Sequence, residues 1–577
     1  MILACKNEWR RRRDAKNEML AQVEGKQLIQ LLNSDSAVCP RFAKRERPPM
    51  AQNKTTVFVR EATGLVRSLT LFDAFFSNLA IINIASALTF PVLLIVYSFP
   101  GADVPLSVLI TLFPILVYNL LYSSFTKMMP RSGGDYVFIS RGLNPILGFA
   151  ANFSFVMWNI FWIGVYANWV YTIGLGPLFY TLGLQSGSQY LTNLGGQLAG
   201  SLAGFAIGTI VIVIITLAAI SGTTKVLKLQ NVLVTIGIIG VVVGLAIPLI
   251  FPSGFASSIT PYISYDNVVK AGPANGYTPS PFSVSDTILA TGLVALTMLF
   301  GQFAVYLGGE VRRPQRSIPT SLVLTTLVTT AALMIGGYIV HNVFGTAFSG
   351  AIQAMYYSGS SSYPFQVAPY FNFLVSLMSH NAITIILIGL SFAFWTMSGA
   401  IFNLMANSRC VMAWSFDRLF PDGFAYVSDR FHTPVASILF NAIGAELLLF
   451  LYTFYVSIVS FMAGTTLGYV LTFGSTAVAG MLIPYRGKVK GIYDRANLRR
   501  IGSVPVIVLA GLGTLIYFVV LGYALLTNPV FGVNSPQSLL AIAAFWLIGI
   551  LIGTVFYYYR KSHGVNIGLA FIEIPPE

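Results

Sequence analysis

The dominant pattern along the chain is an apolar run of about 20 or more residues, repeated from Leu71 to Tyr559, each long enough to cross a hydrocarbon core as a helix. Twelve spans are predicted, over 71–99, 104–128, 145–182, 197–220, 226–252, 286–310, 320–345, 382–411, 435–454, 456–484, 503–527 and 538–559. The third exceeds the thickness of a bilayer, so it must tilt or protrude. The ninth and tenth are the hardest to separate, because Tyr452 to Ser457 offers little polar turn material.

The polar segments between the spans carry the orientation, since cytoplasmic loops collect Lys and Arg. With the N-terminus inside, the inner segments hold Lys127, Arg131, Arg141, Lys225, Lys228, Arg312, Arg313, Arg316, Arg409, Arg418, Arg430, the six basic residues between Arg486 and Arg500, Arg560, Lys561 and the N-terminal cluster. Lys270 alone is left outside. Adding or dropping a span would destroy this asymmetry. The net charge of +14 is therefore read as topology in a cell membrane with both termini cytoplasmic, and not as a nucleic-acid surface. Composition agrees: of 577 residues 55% are hydrophobic and 9% charged, outside the range of soluble globular proteins.

Residues 1–67 differ from the rest, with Arg10 to Arg13 in a row, a basic stretch from Arg41 to Arg47, and Pro48-Pro49. Three readings stand for this part: a disordered cytoplasmic tail, a short amphipathic helix through Leu20, Val23, Leu28 and Leu31 on anionic lipid, or a start at Met50 with 1–49 an artefact. No apolar h-region precedes the first span, which is expected to act as its own targeting signal. Cys5, Cys39 and Cys410 all fall on the cytoplasmic side without pairing or metal spacing, so neither a disulfide nor a metal is expected.

Two spans are interrupted by small or polar residues near their middles: Asn83-Ile84-Ala85-Ser86-Ala87 in the first and Phe300-Gly301-Gln302-Phe303 in the sixth. These are the leading members of two five-span sets, where an inverted-repeat transporter places its broken helices and binds solute. Unwinding frees N–H groups for a carboxylate and C=O groups for an ammonium or ion, which suits a zwitterion. Close helix packing by small residues explains the same pattern equally well. The residues Ile84, Ala85, Ser86, Ala87, Phe300, Gly301, Gln302 and Phe303 are the candidate substrate contacts.

Ionisable residues inside the spans are scarce and costly. Glu446 lies mid-span in the ninth, either as a proton relay or as a protonated acid bonded to a neighbouring helix; His341 is read as a neutral, satisfied histidine. Trp158, Trp162 and Tyr166 share a face of the third span at four-residue spacing, as a pathway lining or, by preference, as lipid-facing or interfacial packing. In the eighth span, Thr396 and Ser398 could hold an ion or bond the preceding turn. No metal-ligand cluster and no Ser/His/Asp grouping lies in the membrane, which argues against an enzyme and gives no cofactor.

The loop MPRSGGDYVFISRGLNPILGF (Met129 to Phe149), the sixth-span exit GGEVRRPQRSIP (Gly308 to Pro319) and SRCVMAWSFDRLFPDGFAYVSDRFHTP (Ser408 to Pro434) resemble signatures of the amino acid–polyamine–organocation superfamily, in matching order over roughly residues 60 to 530. Within these loops Pro130 is expected to stop the second span, Gly133-Gly134 to permit a tight turn or close backbone approach, Pro314 to end the sixth span and Ser317 to cap the seventh with Pro319 in its first turn. Arg131, Glu310 and Arg409 are candidates for inner gating pairs, or interfacial anchors.

The resemblance implies an all-α polytopic membrane protein with a leucine-transporter-type 5+5 inverted repeat and two peripheral helices. It divides the chain into a cytoplasmic tail (1–67), a first repeat (68–252), a second repeat (253–484), two peripheral helices (485–559) and a second cytoplasmic tail (560–577). It further implies a permease for amino acids or related amines working by alternating access, coupled to H+ or Na+ or exchanging, in contact with lipid and not with nucleic acid. A non-transporting solute sensor on the same fold is the alternative. Relatives usually carry a Gly-Ser-Gly-like stretch in the first helix where this chain has Ala85-Ser86-Ala87, and some proton-coupled ones carry a Lys in the fifth span where this chain has Gly237.

Overall fold

The structure is a computed structural model and describes residues 65, 67–198, 201–455, 459–487, 489–565 and 567–571. The readings of residues 1–64, Cys5 and Cys39 included, fall outside it.

Among the described residues, twelve helices are long and apolar enough to cross a membrane: Leu71–Ser98, Val104–Met128, Pro145–Ser186, Leu202–Ile220, Thr223–Ile250, Val284–Tyr306, Pro314–Tyr357, Ala382–Phe416, Val435–Phe454, Gly464–Tyr485, Val506–Thr527 and Pro536–Ser562. They are spans 1 to 12 below. Apolar length sets each body, and short polar residues set the starts. Thr70 and Asp73 form a reciprocal capping box before span 1, Asp103 caps span 2 ahead of Pro105, Asn144 caps span 3 ahead of Pro145, and Asn381 caps span 8. Span 9 ends at Phe454, with Tyr455 extended after it.

One expectation is corrected. Span 7 starts at Pro314, with Arg313 in the left-handed region before it, so Ser317 is no cap; its hydroxyl donates to the Arg312 carbonyl at 2.9 Å inside the first turn. Spans 3 and 7, at 42 and 44 residues, each contain a π-helical turn, at Val170–Leu175 and Val340–Gly345. A straight 42-residue helix would be about 63 Å long, twice the hydrocarbon thickness.

One end of the bundle ties Leu69 to Glu310 and Arg312 through backbone bonds of 3.0 and 2.7 Å, Arg141 to Asp417 and Arg560 to Asp422. The other ties Gly101 to Asp286, Asp103 to Thr287 and Tyr265 to Phe344, and Lys270 lies there in the Tyr265–Ala271 helix. The first end is the basic face, the second the opposite face. Span 1 therefore begins at the basic face and span 6 ends there. Span 2 packs along span 7, span 3 along span 8 and span 4 along span 9, so these contacts join members five apart.

Candidate functional site

The break in span 1 is made by one residue. Asn83 stands at φ +51° and ψ +70°, a left-handed conformation that asparagine tolerates better than most. Its Oδ1 accepts from the Ser86 N–H at 3.2 Å, capping the half-helix Ile84–Ala87, and its Nδ2 donates to Thr396 Oγ1 at 3.3 Å. The half-helix then passes into a π-helical turn, Leu88–Val92, around Pro91, whose ring nitrogen donates nothing to the ladder. Ala85 and Ala87 are thus ordinary helical residues. The positive φ that a glycine would have supplied two positions later is supplied by Asn83.

Carbonyls at the break are met by donors from other spans. Trp395 Nε1 donates to the Leu79 carbonyl at 2.8 Å, and the Tyr166 hydroxyl to the Ile81 carbonyl at 3.0 Å. A Cβ at Gly237 would lie 2.8 Å from the Trp395 ring, so this fifth-span position supports the indole. Thr396 and Ser398 donate to carbonyls of their own helix at 2.7 and 2.6 Å, the preceding-turn reading, and neither lines the cavity described below.

Span 6 breaks where expected: its helix stops at Met298, and after Leu299 to Gln302 the chain resumes as a 3-10 turn, Phe303–Tyr306. Asn78 of span 1 reaches this break, its Oδ1 accepting from the Ala304 N–H at 2.8 Å while its Nδ2 donates to Ser321 at 3.3 Å. The Gln302 amide is fully buried, with neither atom hydrogen-bonded.

Between the two breaks lies a cavity of about 300 Å³, walled by Ile82, Ser86, Ala87 and Phe90 of span 1, Trp162, Tyr166 and Trp169 of span 3, Thr297 and Phe300 of span 6, and Thr466 of span 10. It reaches Ser98, Tyr357 and Phe531 at the opposite face. No charged side chain lines it. Of the predicted contacts, Ser86, Ala87, Phe300 and the pathway residue Tyr166 line it; Ile84, Ala85, Gly301, Gln302 and Phe303 do not. The lipid-facing preference for the span 3 aromatics is overturned. Trp162 and Tyr166 face the cavity, and Trp158 is fully buried against Phe545 of span 12.

Toward the basic face the cavity is closed in two layers. Phe300 meets Phe303 and Tyr469 with ring centroids 5.8 and 5.0 Å apart, and Phe303 leads to Tyr306, itself stacked on Phe155 at 4.8 Å. Beyond them Arg409 Nε and Nη2 donate to the Glu310 carboxylate at 2.8 and 3.2 Å, with both side chains 1% exposed. Thr223 and Ser408 accept further Arg409 N–H groups at 2.7 and 3.0 Å, which offsets the desolvation such a pair incurs. Of the three predicted gate residues the structure joins these two. Arg131 stands beside them through its backbone, its carbonyl 3.0 Å from where a Gly308 Cβ would be.

Glu446 and His341 each have a partner: Thr209 of span 4 donates to Glu446 at 2.6 Å, and His341 Nε2 accepts from the Val104 N–H at 3.3 Å. Sequence reasoning missed Asn78, the hinge role of Asn83, and Asp135. An asparagine two residues before a small-residue stretch is the available signal for Asn83; the other two needed partners remote in the chain.

A family model described as amino acid permease matches residues 69–559. No curated protein matches the chain.

Proposed function

The chain belongs to the amino acid permease family and is a multi-pass membrane transporter; on that footing we propose that it moves amino acids or related amines by alternating access, with the basic face cytoplasmic. The observation that carries this reading is the cavity between the two broken spans, reaching one face and closed toward the other by aromatic rings and a buried ion pair. It corresponds to a transport route standing toward the outside, in a cell membrane with both termini inside. Contacts between spans five apart support the inverted repeat.

Recognition in this cavity rests on shape and dipoles. Aromatic and aliphatic walls favour a solute with an apolar body, while the hydroxyls of Ser86, Thr297 and Thr466 supply polar contacts. A cation at the break carbonyls would have to displace Trp395 or Tyr166, which favours proton coupling or exchange over Na+. The test is uptake into proteoliposomes across a panel of amino acids and amines, with imposed pH or Na+ gradients. Absence of flux and of binding for every member would sink the substrate class.

A further inference from the structure

Asp135 opens the short helix Asp135–Gly142 between spans 2 and 3, directly after Gly133 and Gly134, whose φ values are +103° and +48°. Only glycine takes these angles cheaply, and the turn lays the chain on span 6: the Gly133 N–H donates to the Tyr306 carbonyl at 3.1 Å. The Asp135 carboxyl is thereby carried to a fully buried position. Three hydroxyls donate to it, from Tyr122 of span 2 at 2.5 Å, Tyr306 of span 6 and Thr476 of span 10.

Among the described residues no Lys, Arg or His pairs with Asp135, and the nearby cations are matched elsewhere, Arg409 with Glu310 and Arg141 with Asp417 at 2.7 Å. The titratable groups that face it are Tyr118 and Tyr122 on span 2, Tyr306 on span 6 and Cys410 on span 8, none of which brings positive charge. A buried carboxylate without a counter-charge is costly. The neutral acid suits this ring of hydroxyls, because each of them accepts as readily as it donates. Burial pushes the Asp135 carboxyl up from the usual carboxylate range, outweighing the opposite pull of the Thr476, Tyr122 and Tyr306 hydroxyls.

Tyr306 also belongs to the aromatic layer that closes the cavity, three residues past Phe303 and four before Glu310. Opening the basic face has to move that segment and so admits water to Asp135, and the hydration of the carboxylate outweighs the Tyr306 donor it loses. We propose that Asp135 is a proton-binding site that ties the state of the basic-face gate to pH: its carboxyl holds a proton while the gate is closed and passes it to water when Tyr306 departs. The inference rests on the transport reading above. Acid therefore favours the closed gate, and that preference is lost as pH rises through the raised value of the buried group.

The test is an infrared pH titration of the purified full-length protein in liposomes, with no solute present. The wild type is expected to show a carboxylic-acid C=O band that persists above the usual carboxylate range, fades as pH rises further and is missing from Asp135→Asn. Tyr306→Phe removes a donor that favours the carboxylate and is expected to raise the midpoint of that band by on the order of one pH unit. The same band in wild type and Asp135→Asn overturns the proposal. Should Asp135→Asn not be recoverable in folded form, Tyr306→Phe decides alone, and an unmoved midpoint overturns it. Because no step uses a transported solute, failure of the substrate panel and failure of the proton site remain separate results.

Discussion

Replacing Glu310 with Gln keeps the shape of the basic-face gate and removes its negative charge. Arg409 would then sit at 1% exposure facing a neutral amide, still bonded to Thr223 and Ser408. Removing one partner of a buried ion pair costs about 3–5 kcal/mol, because the remaining charge is left uncompensated. Opening the gate hydrates the guanidinium, so the cost falls on the closed state alone. At 1.4 kcal/mol per tenfold, the open fraction should rise by roughly two to three and a half orders of magnitude. Cys410 provides the readout: it adjoins Arg409, is fully buried, and lies 3.9 Å from the Gly133 carbonyl behind the gate. With Cys5 and Cys39 replaced by Ser, the rate of maleimide labelling of Cys410 should rise by about that factor in Glu310→Gln. The double variant Glu310→Gln/Arg409→Gln should fall back toward wild type, since replacing both partners leaves no buried charge. Labelling unchanged in the single variant, or as fast in the double as in the single, would refute the gating role.

The left-handed turn at Gly134 supplies a second expectation: a Cβ there would lie 2.5 Å from two Tyr306 ring carbons, so Gly134→Ala should destabilise the protein by about 1–3 kcal/mol in a thermal melt, while Gly301→Ala, with no neighbour nearer than 3.4 Å, should melt like wild type. Trp395→Phe leaves the Leu79 carbonyl with the Asn83 N–H alone and should cost about 0.5–1.5 kcal/mol; a wild-type melt would show that the indole bond contributes nothing to stability. Ser86→Trp should abolish uptake with expression and insertion intact, and normal uptake would put the route elsewhere. Glu446→Gln still presents an oxygen to Thr209, so uptake and its pH dependence should be unchanged; a lost pH dependence would make Glu446 the proton carrier.

Span bodies were legible because each is a local property: a long apolar run has one solution in a bilayer, and short polar residues with prolines mark most starts. The seventh was misread at its start because Pro314 looked like a terminator of span 6 when it is the first residue of the next helix. The interruption Asn83-Ile84-Ala85-Ser86-Ala87 marks the break, and the structure puts the turn at its first residue: the left-handed asparagine, not the small residues after it, unwinds the chain.

What the sequence by itself determined is the number of spans, the positions of the two breaks and the sign of charge at each end, since transfer into hydrocarbon and helix termination are decided within a few residues. Only the tertiary structure decided what meets the polar groups those breaks release. The Ile81 carbonyl takes its donor from Tyr166, Ala304 finds its acceptor on Asn78, and Asp135 gathers hydroxyls from Tyr122, Tyr306 and Thr476. A buried polar group must be paired, but any span that packs alongside can supply the partner, and that choice is made by the packing of the whole bundle.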